Sequence, residues 1–207
     1  MNQRKLAEQA FKRNLILDAA ESLFKTIGIE ETTMEAVAKS AGYTRKSIYN
    51  HFVSWDDICL QVLLRDMKIR VARRIGIAES EQRAPEKLYT WGEERYQYCC
   101  QNPVIVELQT YLDFRGLDEK KISPDIMQEY DSLNMQLKDY HIRIIESGVA
   151  DGSLREDINI NYTISHFAYS LRSIIKRALD SSYSMTPINS DEYFHQFLES
   201  FIRGISK

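Results

Sequence analysis

Two neighbouring stretches of the chain decide its fold: T-T-M-E-A-V-A-K-S-A-G at residues 32–42 and T-R-K-S-I-Y-N-H-F at residues 44–52. The apolar residues of the first stretch recur at the spacing of one helix face, and they are Met34, Val37, Ala38 and Ala41. Thr32, with Glu35 three residues later, predicts a capping box at the start of this helix, and Gly42 predicts its end.

The second stretch predicts another short helix directly after the turn at Gly42. Thr44 suits its N-cap, and the helix runs to about Asn50 with Ile48 and Phe52 on its inner face. Two short helices joined by a tight turn have the spacing of a helix-turn-helix.

The outer side of this second helix and its flanks carry cations, a hydroxyl, a phenol, an amide and an imidazole, and the residues are Arg45, Lys46, Ser47, Tyr49, Asn50 and His51. Such side chains donate to phosphate oxygens and reach base edges in a major groove. Thr33, at the start of the preceding helix, is placed for a phosphate contact supported by backbone N–H groups. The alternative is a short helix whose polar face is merely solvated.

The rest of the chain also follows helical periodicity. Further helices are predicted at about residues 11–27, 55–77, 85–101, 103–115, 124–148, 159–179 and 190–205. No segment alternates with a period of two, and Gly and Pro number only 8 and 4. We therefore expect an all-α protein of about nine helices.

Charge is distributed unevenly over the 207 residues, whose net charge is −3. Residues 1–75 hold 13 Lys and Arg against 9 Asp and Glu, whereas the remainder holds 14 against 21. A basic first third on an acidic remainder suggests a polyanionic partner for the first third alone.

Several classes of protein are disfavoured. The sequence has no nucleophile elbow, glycine-rich phosphate loop, metal-ligand spacing or paired-acid signature, so we expect neither an enzyme nor a cofactor or metal. It also has no apolar run near the ~20 residues of a membrane helix and no secretory signal, so we expect a cytoplasmic protein without a membrane partner. The three cysteines are interpreted as small buried residues, with thiol sensing by Cys99 and Cys100 as the lesser alternative.

The stretch from Ile16 to Leu63 resembles the DNA-binding segment of the TetR family of bacterial transcriptional regulators. The resemblance rests on I-L-D-A-A-E-S-L-F at residues 16–24, on Gly28, and on the two stretches at residues 32–42 and 44–52. It implies a homodimer that binds double-stranded operator DNA and commonly represses transcription. It also implies that a small molecule bound in the C-terminal domain releases the protein from the DNA.

The resemblance also implies which residues contact DNA. These are the outer-face residues of the second short helix together with Thr33 and Thr44. Among them Arg45 suits base readout because a guanidinium pairs bidentately with guanine, whereas Lys46 suits a phosphate. One departure is Trp55, at a position where the family often has a phosphate-binding lysine. That contact is then either absent or supplied by Arg4, Lys5, Lys12 or Lys39.

The remaining sequence predicts how the chain is divided. Residues 1–53 form the helix-turn-helix domain, and residues 54–207 form a helical domain for effector binding and dimerisation. The last two helices, at 159–179 and 190–205, are expected to form the dimer interface. The final helix supports this because it has two apolar rows: Tyr193, Phe197 and Phe201 in one, and Phe194, Leu198, Ile202 and Ile205 in the other. The alternative is a helix buried wholly within its own monomer.

The middle and late helices are rich in aromatic residues, which suits either a core or a ligand pocket. The candidate effector contacts are Trp91, Tyr96, Tyr111, His141, His166, Tyr169 and Arg172. The sequence thus favours a ligand-responsive transcription repressor. The alternative is a helical small-molecule-binding protein whose DNA binding is weak or lost, which the departure at Trp55 favours.

Overall fold

The computed structural model describes residues 3–180 and 189–207, and these form an all-α protein. The nine α-helices are α1 Gln3–Ile27, α2 Met34–Ala41, α3 Arg45–Ile48, α4 Trp55–Glu79, α5 Ala84–Gln101, α6 Pro103–Arg115, α7 Pro124–Ala150, α8 Ile160–Leu179 and α9 Ser190–Ile205. A short 3₁₀ helix at Glu119–Lys121 precedes α7. The expected fold class is confirmed, and within the described ranges the only β feature is one isolated bridge between Leu154 and Ser206.

Two helices differ from their predicted extent. α1 begins at Gln3 rather than near residue 11, because neither Gly nor Pro interrupts residues 3–27. α3 ends at Ile48 rather than near Asn50. There the backbone tightens, since the N–H groups of Asn50 and His51 bond carbonyls three residues back, at 3.2 and 2.8 Å.

The chain forms two compact units. The first comprises the residues up to Lys68 together with Glu107–Ser132, and the second comprises Ile69–Val106 together with Leu133–Lys207. Helix α4 therefore contributes residues to both units.

The core of the first unit is made by the inner faces of its helices. Fully or almost fully buried side chains there include Ile16, Ala20, Phe24, Val37, Ile48, Phe52, Ile58 and Leu60. Ile27, which periodicity predicts on the same face, is instead 47% exposed, because it is the last residue of α1. Gly28 and Gly42 have φ of +84° and +74°, so the predicted glycine turns after α1 and α2 are confirmed.

The core of the second unit is aromatic and aliphatic, built around Trp91, Tyr96, Phe167, Phe194 and Leu198. Two glycines allow close helix packing there. A Cβ on Gly92 would lie 2.6 Å from Cδ1 of Leu198, and a Cβ on Gly148 would collide with Ala84 and Leu154.

The cysteines are only partly as predicted. Cys59 and Cys99 are buried, whereas Cys100 is exposed at the end of α5, so its interpretation as a buried residue was wrong. Partial desolvation, followed by the charges of Asp191 and Glu93, raises the pKa of Cys100, which keeps its thiol protonated at neutral pH. In the described part of the chain, none of the helices is long and apolar enough to span a bilayer.

Candidate nucleic-acid interface

The first short helix, α2, is capped at both ends. The hydroxyl of Thr33 accepts a bond from the N–H of Ala36 at 3.2 Å, and Gly42 closes the helix with a left-handed backbone. The predicted capping box of Thr32 and Glu35 was wrong. Thr32 is buried and its hydroxyl donates to the carbonyl of Gly28 at 2.6 Å, which leaves the capping role to the next threonine.

The second short helix, α3, is capped by Thr44, whose hydroxyl accepts from the N–H of Ser47 at 3.2 Å. Its inner side is anchored by Ile48 and Phe52, which are 0% and 1% exposed. The predicted inner face is therefore confirmed. The other side chains are at the surface: Arg45, Lys46, Tyr49 and Asn50 are exposed, and Ser47 and His51 are half-buried.

Arg13 of α1 fixes the chain that follows α3. Its Nη1 donates to the carbonyl of His51 at 3.0 Å, and its Nη2 donates to Oε1 of Gln61 at 2.7 Å. Its guanidinium also lies over the ring of Phe52, 5.2 Å from the centroid. Sequence reasoning missed this residue, because its partners lie 38 and 48 residues away and no local pattern connects them.

The start of α4 is held by two side chains. The hydroxyl of Ser54 accepts from the N–H of Asp57 at 3.0 Å, which caps the helix. The carboxylate of buried Asp57 accepts from the N–H of Val53 at 3.0 Å and from the hydroxyl of Ser123 at 3.1 Å. The turn between α3 and α4 is therefore fixed, and with it the orientation of α3 within the first unit.

On the exposed face of α3, Arg45 already forms contacts within the chain. The guanidinium of Arg45 forms an ion pair with Glu35 of α2 and donates to the hydroxyl of Tyr49 at 3.4 Å. The guanidinium also lies 5.8 Å from the centroid of the Tyr49 ring. Both members of the ion pair are more than half exposed, so water screens the pair and a stronger acceptor can displace Glu35.

His51 differs in charge from Arg45 and Lys46. Burial lowers the pKa of its imidazole, and the charges of Arg13 and Lys12 lower it further. The imidazole is therefore neutral at pH 7 and can offer a hydrogen bond but not a positive charge.

Trp55, at the position of the family's lysine, packs into the protein. Its ring meets Phe24 edge-on, with centroids 5.6 Å apart and an interplanar angle of 85°. Of the cations considered as substitutes, Lys12 is paired with Glu8 at 2.6 Å, and Lys5 and Lys39 are exposed.

The predicted effector residues do not all come together. Trp91 and His141 are stacked, with ring centroids 3.7 Å apart, and Tyr96 is buried against Phe194 in the same unit. Tyr169 and His166 are exposed on α8, with Arg172 beside the Tyr169 ring. Tyr111 belongs to the first unit, where Arg115 donates to its hydroxyl.

The two apolar rows of α9 also have different environments. Phe194, Leu198 and Ile202 are buried within their own chain. Tyr193, Phe197 and Phe201 are half-buried, and Phe197 and Phe201 pack on that core from its edge.

Comparison with known proteins agrees with this geometry. A family model described as "Bacterial regulatory proteins, tetR family" matches residues 16–62, which include α2 and α3. The chain is 26% identical over 160 residues to the HTH-type transcriptional repressor KstR2 of Mycolicibacterium smegmatis, covering 75% of this chain and 73% of that protein.

Two solved structures share the fold. The transcriptional regulator FadR from Bacillus subtilis, solved with stearoyl-CoA, is 17% identical with a TM-score of 0.72, covering 92% of this chain and 98% of that chain. A putative transcriptional regulator from Saccharomonospora viridis, solved with choline, is 20% identical with a TM-score of 0.73, covering 96% and 99%. These relatives are described as transcription regulators and not as enzymes. Residues 16–62 of the chain thus belong to the TetR family of bacterial regulatory proteins, and the chain beyond them is similar to transcription regulators.

Proposed function

We propose that this protein is a transcriptional repressor that binds double-stranded operator DNA as a homodimer and is released by a small-molecule effector. In this proposal residues 1–53 bind DNA, and residues 54–207 bind the effector and form the dimer. Binding to operator DNA places the protein in the cytoplasm.

The observation that carries the proposal is the surface of α3. Capping by Thr44 and anchoring by Ile48 and Phe52 leave one polar, mostly exposed side for a major groove. We assign base readout to Arg45 and a phosphate contact to Lys46, with contacts that set the register on the DNA backbone from Tyr49 and neutral His51. Ser47, Asn50 and the two capping threonines, Thr33 and Thr44, complete the proposed interface.

A four-residue helix reads few base pairs, so the proposal needs two copies. A two-fold dimer reads half-sites about 34–36 Å apart, or a multiple of that. We assign the interface to α8 and α9, with the half-buried row of Tyr193, Phe197 and Phe201 facing the second copy. Burying aromatic rings between subunits is a strong source of association energy.

Release by an effector requires two states of the dimer. The effector shifts the equilibrium only by its differential affinity for the form that does not fit the operator. The solved regulators of this fold that hold stearoyl-CoA and choline support a small-molecule effector. We assign the coupling to α4, which has residues in both compact units.

The test is a binding titration on the DNA upstream of the protein's own gene, at several salt concentrations. We expect an affinity that falls steeply with salt and a preference over unrelated DNA. Arg45→Ala should lower the specific affinity about ten- to a hundredfold.

Arg143→Ala is the matched control. Arg143 is also exposed, also pairs with an acid, Asp139, and also lies 5.8 Å from the centroid of a tyrosine ring. This variant should bind like wild type. Absence of DNA binding at low salt would instead support the alternative, a small-molecule-binding protein that has lost its operator.

A further inference from the structure

A buried guanidinium lies inside the second unit. Arg74 of α4 is only 3% exposed, and its guanidinium lies over the ring of Trp91, 4.5 Å from the centroid. Within residues 3–180 and 189–207, its Nε and Nη1 are buried without a hydrogen-bond partner. Unsatisfied buried donors of a charged group are costly, so such an arrangement calls for an acceptor from outside the chain.

His141 of α7 lies against the same indole. Its ring is stacked on Trp91, with an interplanar angle of 12°. Its Nε2 is buried and, among the described residues, has no hydrogen-bond partner either. Burial lowers the pKa of His141 well below its usual range, and Arg74 and Arg70 lower it further, so the ring is neutral and can donate one hydrogen bond.

The local charge is positive. A small cavity beside Arg74 is lined by four arginines, Arg70, Arg73, Arg74 and Arg95, and by one acid, Glu94. Burial lowers the pKa of Arg74 to about 9, which still leaves it charged at neutral pH. Glu94 favours the charged form of Arg74, but a buried cation whose Nε and Nη1 lack hydrogen-bond partners still destabilises the fold relative to an apolar residue of similar volume. Its presence therefore favours a binding role over a structural one.

Trp91 also meets the apolar core of the second unit, edge-on against Phe167. The centroid of Phe167 lies 4.7 Å from that of Trp91, and Phe201 lies 5.0 Å from Phe167. The apolar part of a ligand held by Arg74 and His141 therefore contacts aromatic rings next to its polar contacts. This combination of few polar groups and an apolar wall is typical of small-molecule sites.

We propose that Arg74, His141 and Trp91 bind the acidic head group of an amphipathic organic anion, a carboxylate or a phosphate ester with an apolar body. Arg74 pairs with one head-group oxygen, Nε2 of His141 donates to another, and the body packs on Trp91 and Phe167. This inference rests on the effector role proposed above and specifies the chemistry of the effector. The related folds were solved with stearoyl-CoA and with choline, ligands of opposite charge, so the fold does not decide this point.

The first experiment measures direct binding to the full-length protein by calorimetry, without DNA. The probes share an eight-carbon chain: octanoate, octyl phosphate and octylammonium. We expect at least one anion to bind at least about tenfold more tightly than octylammonium, and the two anions distinguish a carboxylate from a phosphate site. Binding of neither anion, or equal binding of the cation, would overturn the inference.

The second experiment separates binding from folding. Arg74→Met should weaken binding of the preferred anion at least about tenfold and raise the melting temperature of the ligand-free protein, because it removes a buried charge whose hydrogen bonds are incomplete. Arg143→Met is the control, since Arg143 is an exposed arginine of α7 outside this cavity, and it should leave both values unchanged. A lower melting temperature for Arg74→Met would show a structural role and contradict the inference.

His141→Phe keeps the stack on Trp91 and removes the hydrogen bond, so it should weaken binding of the same anion severalfold. None of these measurements uses DNA. If the anion binds through Arg74 but the protein ignores its upstream DNA, the proposed function fails and the inference stands. If the protein binds its operator but binds no anion, the inference fails and the proposed function stands.

Discussion

The caps of the helix-turn-helix join residues that are close in sequence, whereas contacts in the second compact unit join residues that are far apart. The caps of α2 and α3 join residues three apart, Thr33 with Ala36 and Thr44 with Ser47. In the second unit Tyr96 donates to the carboxylate of Asp191, 95 residues away. The comparison teaches that the two short helices of the proposed DNA surface are specified locally, whereas their orientation and the interior proposed to hold an effector depend on distant parts of the chain.

The largest expected effect concerns the contacts between distant residues in the core of the second unit. Phe194 is 0% exposed and stacked on Tyr96, with ring centroids 4.1 Å apart. Phe194→Ala should lower the free energy of unfolding by about 3–5 kcal/mol, measured by denaturant titration, because it leaves a cavity. Phe114 is 92% exposed, so Phe114→Ala should change it by less than about 0.5 kcal/mol. Equal losses in the two variants would contradict the assigned core.

Two glycine-to-alanine substitutions, compared with each other, test the close helix packing of the second unit. A Cβ at Gly148 meets Ala84 and Leu154, so Gly148→Ala should destabilise the protein by about 1–3 kcal/mol. A Cβ at Gly204 of α9 meets nothing within 4 Å. Gly204→Ala should therefore stabilise by up to about 1 kcal/mol, through helix propensity. Thermal unfolding of both variants checks the sign, and a gain for Gly148→Ala would show that the helices pack differently there.

His141 makes stability depend on pH. Its pKa in the folded protein is depressed by burial and then by Arg74 and Arg70, whereas in the unfolded chain it is about 6.5. The unfolded chain therefore binds more protons below that pH, and stability that is complete above about 6.5 is lost as the pH falls toward the folded pKa.

His141→Phe should remove this part of the pH dependence, at most about 1.4 kcal/mol per pH unit, measured as unfolding free energy between pH 5 and 7.5. His195 acts in the opposite direction. Burial lowers its pKa, but bonds to the Asp191 carbonyl and Glu93 carboxylate outweigh burial and raise it, so its contribution is lost as the pH rises. The difference between wild type and variant isolates His141, and identical profiles would rule out its depressed pKa.

The smallest effect concerns a local contact. Thr33→Ala removes the cap of α2 and should cost about 1 kcal/mol of stability, whereas Thr33→Ser keeps the hydroxyl and should cost less. Denaturant titration of the two variants compares them. If the two variants were equally destabilised, Thr33 would not cap the helix through its hydroxyl.

The same contrast explains what the sequence could predict. Apolar spacing and turn signals place all nine helices of the described residues, and α6 and α9 have the predicted bounds of 103–115 and 190–205. The inner anchors Ile48 and Phe52 follow from periodicity alone. Helix ends were less predictable, because the turn after α3 depends on Arg13 and Asp57, whose partners are distant in sequence.

The proposed interior site could be anticipated from the sequence only in part. Trp91 and His141 were among the candidates, but so were Tyr111, His166 and Tyr169, which lie elsewhere. Arg74 was not, because an arginine in a long helix is usually solvated and periodicity does not reveal that this one is buried. Likewise Glu35 was assigned to a cap, since its pairing with Arg45 depends on how α2 and α3 cross.

The central claim is that α3 reads base pairs through Arg45. The most direct measurement selects bound sequences from random duplex DNA with wild type and with Arg45→Ala. The account predicts that wild type selects an inverted repeat and that the variant loses preference at one guanine in each half-site while keeping the other positions. Unchanged preference at every position in the variant would contradict it.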